Sequence, residues 1–80
     1  MAASIKAFVL IVVDPASTSE VFDKLRAVDG ISEVYQVMGP YDIVVEIKVE
    51  NLSDVPTILS DHIRVLEGVE STTSLVTFPD

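Results

Sequence analysis

The sequence predicts an α+β fold with the element order βαββαβ. Four segments are rich in Val and Ile, two segments between them carry apolar residues at helical spacing, and a seven-residue pattern occurs twice. The two copies read LRAVDGI at residues 25–31 and IRVLEGV at residues 63–69. Each copy spans the end of a helix and the start of a strand, so the chain is expected to contain two similar halves.

The first strand is predicted at residues 5–13, where nearly every side chain is apolar. A continuous apolar run is typical of a central strand that is buried on both faces. Asp14 and Pro15 end the strand, because a proline pushes the residue before it toward an extended conformation and begins a loop. The run is short, rich in β-branched residues and without a small-residue cleavage site, which argues against a secretory signal.

The first helix is predicted to begin at residues 17–20, Ser-Thr-Ser-Glu, which fit a capping box. In a capping box the serine hydroxyl accepts a hydrogen bond from the amide three residues on, and the glutamate reaches back to the serine amide. Gly30 supplies the left-handed residue that ends this helix. The apolar stripe of the helix comprises Val21, Phe22, Leu25 and Val28.

A hairpin is predicted next, because Gly39 and Pro40 separate two strand-like segments. The first segment, residues 31–38, alternates imperfectly and suits an exposed edge strand. In the second segment, residues 41–50, an apolar residue occupies every second position and so shares one face with the others. These residues are Ile43, Val45, Ile47 and Val49.

The second helix is predicted after residues 51–54, Asn-Leu-Ser-Asp, which offer several N-cap side chains. Pro56 is tolerated because it falls within the first turn. Gly68 ends the helix, and residues 69–78, rich in Thr and Ser, form the last strand. The apolar stripe of this helix is expected to comprise Val55, Leu59, Ile63 or His62, and Leu66.

Right-handed crossovers in both halves arrange the strands as an antiparallel sheet in the order 4-1-3-2, with both helices on one face. This is the ferredoxin-like fold, and 80 residues are expected to form one such domain, residues 1–80. The first strand presents Phe8, Leu10 and Val12 to the uncovered face, and monomeric soluble proteins rarely expose an apolar patch of several hundred Å². Loops could fold over these residues, but the connections are short, so we predict that the face packs against the sheet of another copy.

The composition argues against several functions. Thirteen acidic and five basic residues give a net charge of −8, which disfavours direct binding of nucleic acid or of an anionic membrane. No apolar run approaches the ~20 residues that span a bilayer, and the absence of cysteine is compatible with a cytoplasmic location. With a single histidine, His62, and no Gly-rich phosphate loop, we expect no catalytic residue, no metal and no cofactor.

Two polar groupings are candidates for ligand binding. Gly39, Tyr41 and Asp42 lie in the hairpin turn, where exposed amides can hold a carboxylate and Asp42 can hold an amino group. Ordinary turn chemistry, with Tyr41 packing and Asp42 capping local amides, explains them as well. Thr72 and Ser74 lie in the last strand, where hydroxyls can line a polar pocket at a subunit boundary or simply suit an edge strand.

Both groupings resemble signatures of the effector domain, or RAM domain, of Lrp/AsnC-type regulators. Residues 39–42 resemble its Gly-x-Tyr-Asp signature, and residues 68–74 resemble Gly-Val-x-x-Thr-x-Thr/Ser, with Ser74 where the family often has Thr. The resemblance covers residues 5–78 and implies homodimers formed sheet against sheet, higher oligomers, and amino-acid effectors bound between dimers. The ligand residues it implies are Gly39, Tyr41, Asp42, Thr72 and Ser74, and the implied dimer interface is Phe8, Leu10 and Val12.

Such regulators carry an N-terminal helix-turn-helix, whereas only residues 1–4 precede the first strand here. The expectation is a stand-alone effector domain that does not bind DNA itself and that can assemble with a full-length Lrp/AsnC regulator. Two alternatives stay open. One is an oligomerisation or partner module without a ligand, and the other is a small dimeric ferredoxin-like enzyme, which would need a roomy pocket between helices and sheet.

Overall fold

The computed structural model describes residues 5–78, which form a four-stranded antiparallel sheet in the order β2-β3-β1-β4. The ends of the predicted domain, residues 1–4 and 79–80, lie outside the described residues. The strands are β1 (Ile5–Val13), β2 (Ile31–Gln36), β3 (Ile43–Val49) and β4 (Val69–Val76). The helices are α1 (Thr18–Leu25), preceded by a 3-10 turn (Pro15–Ser17), and α2 (Asp54–Ile58), continued by a π turn (Leu59–Ile63). The order confirms the predicted ferredoxin-like fold.

The core lies between the helices and one face of the sheet. Every second residue of β1 is buried there, as are the alternating residues of β3. The sheet contributes Ala7, Val9, Ile11, Val13, Ile43, Val45 and Ile47, and the helical segments contribute Val21, Leu25, Val55, Ile58 and Ile63. Full burial of a Val, Leu or Ile side chain stabilises the folded state by about 1.5–3 kcal/mol, so this layer accounts for most of the apolar stabilisation. β2 and β4 are the edges of the sheet, as the imperfect alternation of β2 predicted.

The start of α1 differs from the predicted capping box. Among the described residues, the Ser17 side chain makes no capping hydrogen bond, and its backbone is already near-helical, with φ −108° and ψ −1°. A capping serine needs an extended backbone to turn its hydroxyl toward the helix amides, and the 3-10 turn removes that conformation. Asp14 caps this turn instead, accepting a hydrogen bond from the Ala16 amide at 3.2 Å. Glu20 pairs with Lys24 at 3.0 Å.

The π turn changes which residues of the second helix face the sheet. The Arg64 amide donates to the Leu59 carbonyl at 2.8 Å, a spacing of five residues that inserts one extra residue into the turn. Ile58 and Ile63 are buried, whereas Leu59 is only partly buried and His62 is exposed. The predicted stripe was wrong in omitting Ile58, which lies at regular helical spacing from the buried Val55. The π turn places Ile63, rather than His62, on the buried face.

Gly68 lies where the second helical segment meets β4 and has φ +100°. A Cβ added there would collide with the Cβ of Ser17, on a separate segment. Gly39 also has positive φ, +140°, but no described atom lies within 4 Å of an added Cβ. Substitutions at these two glycines therefore separate the energetic cost of backbone strain from the cost of a steric collision.

We expect Gly68→Ala to destabilise the protein by at least ~2 kcal/mol, because strain and collision add. Gly39→Ala is the control, and it should show strain alone, about 1 kcal/mol. Urea-unfolding midpoints of both variants measure the difference. Equal losses of stability in the two variants would contradict the close approach to Ser17.

Candidate functional site

The loop of residues 39–42 is part of the connection between β2 and β3, residues 37–42, and is fixed to the central strand. The Asp42 amide donates to the Ile11 carbonyl at 2.9 Å, and the Asp42 carbonyl accepts from the Val37 amide at 2.9 Å. The Asp42 carboxylate also takes part, since its Oδ2 atom accepts from the Val13 amide at 2.9 Å. The sequence had suggested that β3 begins at Tyr41. The strand begins at Ile43 instead, and these bonds explain the difference.

Asp42 therefore caps an amide, but one of β1 that is distant in sequence, rather than an amide within its own turn. The hydrogen bonds of the described residues use Oδ2 alone, which leaves the other carboxylate oxygen available to a ligand. Tyr41 and Asp42 are half-buried, while Gly39 and Pro40 are exposed. The loop is thus a rigid, partly exposed platform with one carboxylate at its end.

Thr72 and Ser74 lie on the edge strand β4. Thr72 pairs with Ile11, and Ser74 pairs with Val9, so both residues share the face on which the helices pack. Thr72 is half-buried and Ser74 is exposed. The strand is anchored at its start, where the Asp14 amide donates to the Gly68 carbonyl at 2.8 Å.

The structure brings the two polar groupings to the same end of the sheet, on opposite sides of β1. Ile11 pairs with Ile43 on β3 and with Thr72 on β4. Because neighbouring strands are about 4.8 Å apart, the loop and Thr72 are separated by about 10 Å across β1. A separation of this size allows a small ligand to contact one grouping or the other within one chain.

Thr72 also lines an open groove of about 360 Å³. The sequence identified Thr72 but gave no indication that Arg64 and Glu70 line the same groove. The full lining is Arg64, Val69, Glu70, Ser71 and Thr72. Within residues 5–78, no three His, Cys, Asp or Glu side chains form a group able to hold a metal ion.

The face of the sheet opposite the helices is apolar at its centre. We call the following side chains the open face: Phe8, Leu10, Val12, Tyr35, Val44 and Leu75. Leu10 lies between Val44 and Thr73 on the neighbouring strands and is half-buried by them. Tyr35 and Leu75 are 50% and 52% exposed. The structure places the three predicted interface residues on this face, and their role in an interface stays a prediction.

A polar cluster borders the open face around Glu46. The Ser32 hydroxyl donates to Glu46 Oε1 at 2.7 Å, and Lys6 Nζ lies 3.6 Å from Oε2. The Ser32 hydrogen bond, together with the charges of Lys6 and Lys48, holds the pKa of Glu46 below its ordinary value of 4.5, although desolvation opposes them. The stabilisation that Glu46 provides is therefore present above pH 4.5 and is lost as the pH falls through the lower folded pKa.

Replacing Glu46 with Gln should lower the melting temperature at neutral pH but have little effect in acid. The difference from wild type should shrink as the pH is lowered from neutral to well below 4.5, because wild-type Glu46 becomes protonated as the pH falls through its lowered pKa. Thermal unfolding across this range tests the expectation, with the exposed Glu67→Gln as the control. A difference that stays constant with pH would show that the charge of Glu46 contributes nothing.

The comparisons with known proteins decide the family. The chain matches the model of the Lrp/AsnC ligand binding domain over residues 6–79. The chain belongs to this family. Among curated proteins, the Lrp/AsnC domain is 40% identical to the HTH-type transcriptional regulator FL11 of Pyrococcus furiosus over 73 residues, which are 91% of this chain and 48% of FL11. The chain spans about half the length of the curated relatives it matches.

Solved structures agree with this assignment. The protein TTHA0845 from Thermus thermophilus has a TM-score of 0.89 and 32% identity, with 92% of both chains covered. The transcriptional regulator NMB0573 of Neisseria meningitidis, solved as a complex with L-Met, has a TM-score of 0.81 and 16% identity, covering 92% of this chain and 49% of that one. The second likeness shows the fold alone.

These findings confirm the resemblance drawn from the two signatures and place the chain among Lrp/AsnC ligand binding domains, with HTH-type transcriptional regulators among the matched proteins. The roles of Gly39, Tyr41, Asp42, Thr72 and Ser74 stay predictions. No helix of the described residues is both long and apolar enough to cross a membrane.

Proposed function

We propose that this Lrp/AsnC domain is an amino-acid-binding, oligomerising regulatory module. The observation that carries the proposal is the placement of both signature segments at one end of the sheet, around Ile11. The loop offers a carboxylate fixed in position, and β4 offers hydroxyls. An α-amino acid carries the charged and polar groups that such a site can hold.

The open face supports assembly of the module. No segment of residues 5–78 packs over its apolar side chains. Burial of apolar surface in an interface would contribute about 25 cal/mol of stabilising free energy per Å². Packing of one sheet against another, through Phe8, Leu10 and Val12, gives a homodimer. Further contacts between dimers then build a higher oligomer and bring the loop of one subunit toward a neighbour.

Regulation follows from linkage between the ligand and the assembly. A ligand that bridges two subunits stabilises the oligomer it fits by its differential affinity for that state. The complex of the Neisseria relative with L-Met supports an amino acid as the ligand class. The net charge of −8 argues against DNA binding by this chain, so its action on transcription would pass through co-assembly with a full-length regulator.

Native mass spectrometry with and without each of the twenty amino acids tests the proposal. We expect an oligomer at micromolar concentration, and at least one amino acid that adds its mass and shifts the distribution of oligomers. An oligomer that binds none of the twenty would favour the module without a ligand. A monodisperse monomer would contradict the proposed role of the open face.

A further inference from the structure

We infer that Arg64 and Glu70 form the two charged poles of the groove beside Thr72, where they bind the carboxylate and the ammonium of an amino acid. The inference rests on the proposed function and names the groups that would recognise the ligand class. Ser71 and Thr72 line the same groove with their hydroxyls. Neither Arg64 nor Glu70 belongs to the signatures that identify the family.

The internal repeat supplies a matched comparison within the chain. The repeat pairs Arg26 with Arg64, and each arginine lines a groove beside an edge strand. The groove of the first half has a volume of about 420 Å³ and is lined by Phe22, Arg26, Ile31, Ser32, Glu33 and Val34. Extending the same alignment pairs Ser32 with Glu70. The two grooves are thus equivalent positions of the two halves.

In the first groove Arg26 and Ser32 already have partners, whereas Glu33 forms no ion pair among residues 5–78. The guanidinium carbon of Arg26 lies 5.7 Å from the centre of the Phe22 ring, within the range of a cation–π contact. The Ser32 hydroxyl donates to Glu46 Oε1 at 2.7 Å. These contacts fix Arg26 and Ser32 in place, so the groups equivalent to Arg64 and Glu70 are not free to bind a charged ligand in this groove.

In the second groove the equivalent groups lack such partners. The repeat places Ser60 opposite Phe22, so Arg64 has no aromatic ring at that position. The three lysines of the described residues each interact with an acidic side chain. Lys6 and Lys24 form ion pairs, and the charge of Lys48 lowers the pKa of Glu46. Neither Arg26 nor Arg64 forms an ion pair among residues 5–78, but unlike Arg26, Arg64 has no aromatic ring contact either. Its guanidinium is available to bind an external carboxylate through two parallel hydrogen bonds.

Glu70 provides the opposite pole because of a β-bulge. Val12 pairs with Ser71 and Val13 pairs with Val69, which leaves Glu70 as the extra residue of β4. A bulge re-aims a side chain and often lies beside a functional site. Within the described residues Glu70 and Arg64 form no ion pair with each other. A zwitterion that carries one cation and one anion matches these poles better than a simple carboxylate or amine does.

Calorimetric titration of the whole chain tests the assignment. Wild type is first titrated with the twenty free L-amino acids, and the tightest binder is then compared with its α-amide and its N-acetyl derivative. Arg64→Gln should weaken the free amino acid about tenfold or more but change the α-amide less than about twofold, because the amide has no carboxylate to lose. Glu70→Gln should weaken the free amino acid similarly while leaving the N-acetyl derivative unchanged. Arg26→Gln, the matched control, should bind like wild type.

The outcomes separate this inference from the proposed function. If Arg64→Gln binds the free amino acid as tightly as wild type, or if Arg26→Gln weakens binding equally, the assignment is overturned while amino-acid binding stands. If wild type binds none of the twenty amino acids, both proposals fail together. Arg64 and Glu70 are exposed, and circular dichroism of the variants should match wild type, so lost binding reports on the groove and not on the fold.

Discussion

Leu10→Asp is expected to convert the assembled protein into a monomer. Leu10 lies at the centre of the open face, between Val44 and Thr73. In a sheet-to-sheet dimer, the new carboxylate would be desolvated in both subunits, at a cost of several kcal/mol each. A dimer with a micromolar dissociation constant is held by only about 8 kcal/mol, so it would not survive this change. Sedimentation velocity at micromolar concentration measures the result.

Ala27→Asp is the control for charge, since Ala27 is exposed beyond α1, away from the open face, and the variant has the same net charge as Leu10→Asp. We expect this control to keep the wild-type oligomer. Leu10→Thr, a milder polar change that suits a strand, should weaken the dimer without abolishing the sheet. If Leu10→Asp sediments like wild type, the open face is not the interface.

Asp42→Asn is expected to remove the response to amino acids while leaving the fold intact. The asparagine keeps a carbonyl oxygen that can accept from the Val13 amide, as Asp42 Oδ2 does at 2.9 Å. It loses the negative charge that, reaching the ligand from a neighbouring subunit, would hold the amino group alongside Glu70, since an ammonium has three N–H donors. A hydrogen bond to a charged partner is worth about 1.5–3 kcal/mol. The ligand-induced shift in melting temperature should therefore fall to near zero, with the unliganded melting temperature retained.

Asp42→Ala separates the two contributions of the side chain. It removes both the charge and the acceptor, so the Val13 amide loses its partner at a cost of about 1–3 kcal/mol. We expect the alanine variant to be less stable than the asparagine variant and equally unresponsive to amino acids. A full ligand response in Asp42→Asn would show that Asp42 only anchors the loop.

The fold could be predicted because its determinants are local or periodic. The repeat around Gly30 and Gly68 fixed the order of the elements, and both residues adopt positive φ, +94° and +100°. Alternation along β1 predicted which side chains face the core and which face outward. Ile58 lies at regular helical spacing from Val55 and could have been predicted. The burial of Ile63 in preference to His62 could not, because a π turn is set by packing and not by the spacing of residues.

The candidate site was predictable only where its residues are close in sequence. The signatures identified the loop and Thr72 as separate groups, but the bond from Val13 to Asp42 joins segments 29 residues apart. The groove also could not be predicted from the sequence, since the turn at Gly68 and the bulge in β4 bring Arg64 and Glu70 to the same groove. Comparison of the two repeat halves position by position offered one clue. Arg64 has Ser60 at the position where Arg26 has Phe22.

Two consecutive amides at the end of β1 hold both signature segments. The Val13 amide donates to the Asp42 carboxylate, and the Asp14 amide donates to the Gly68 carbonyl. A displacement of the loop therefore pulls on the peptide unit next to the one that fixes the start of β4. This shared anchor means that the two halves of the site open together, and the hydrogen-exchange rates of these amides report on both segments at once.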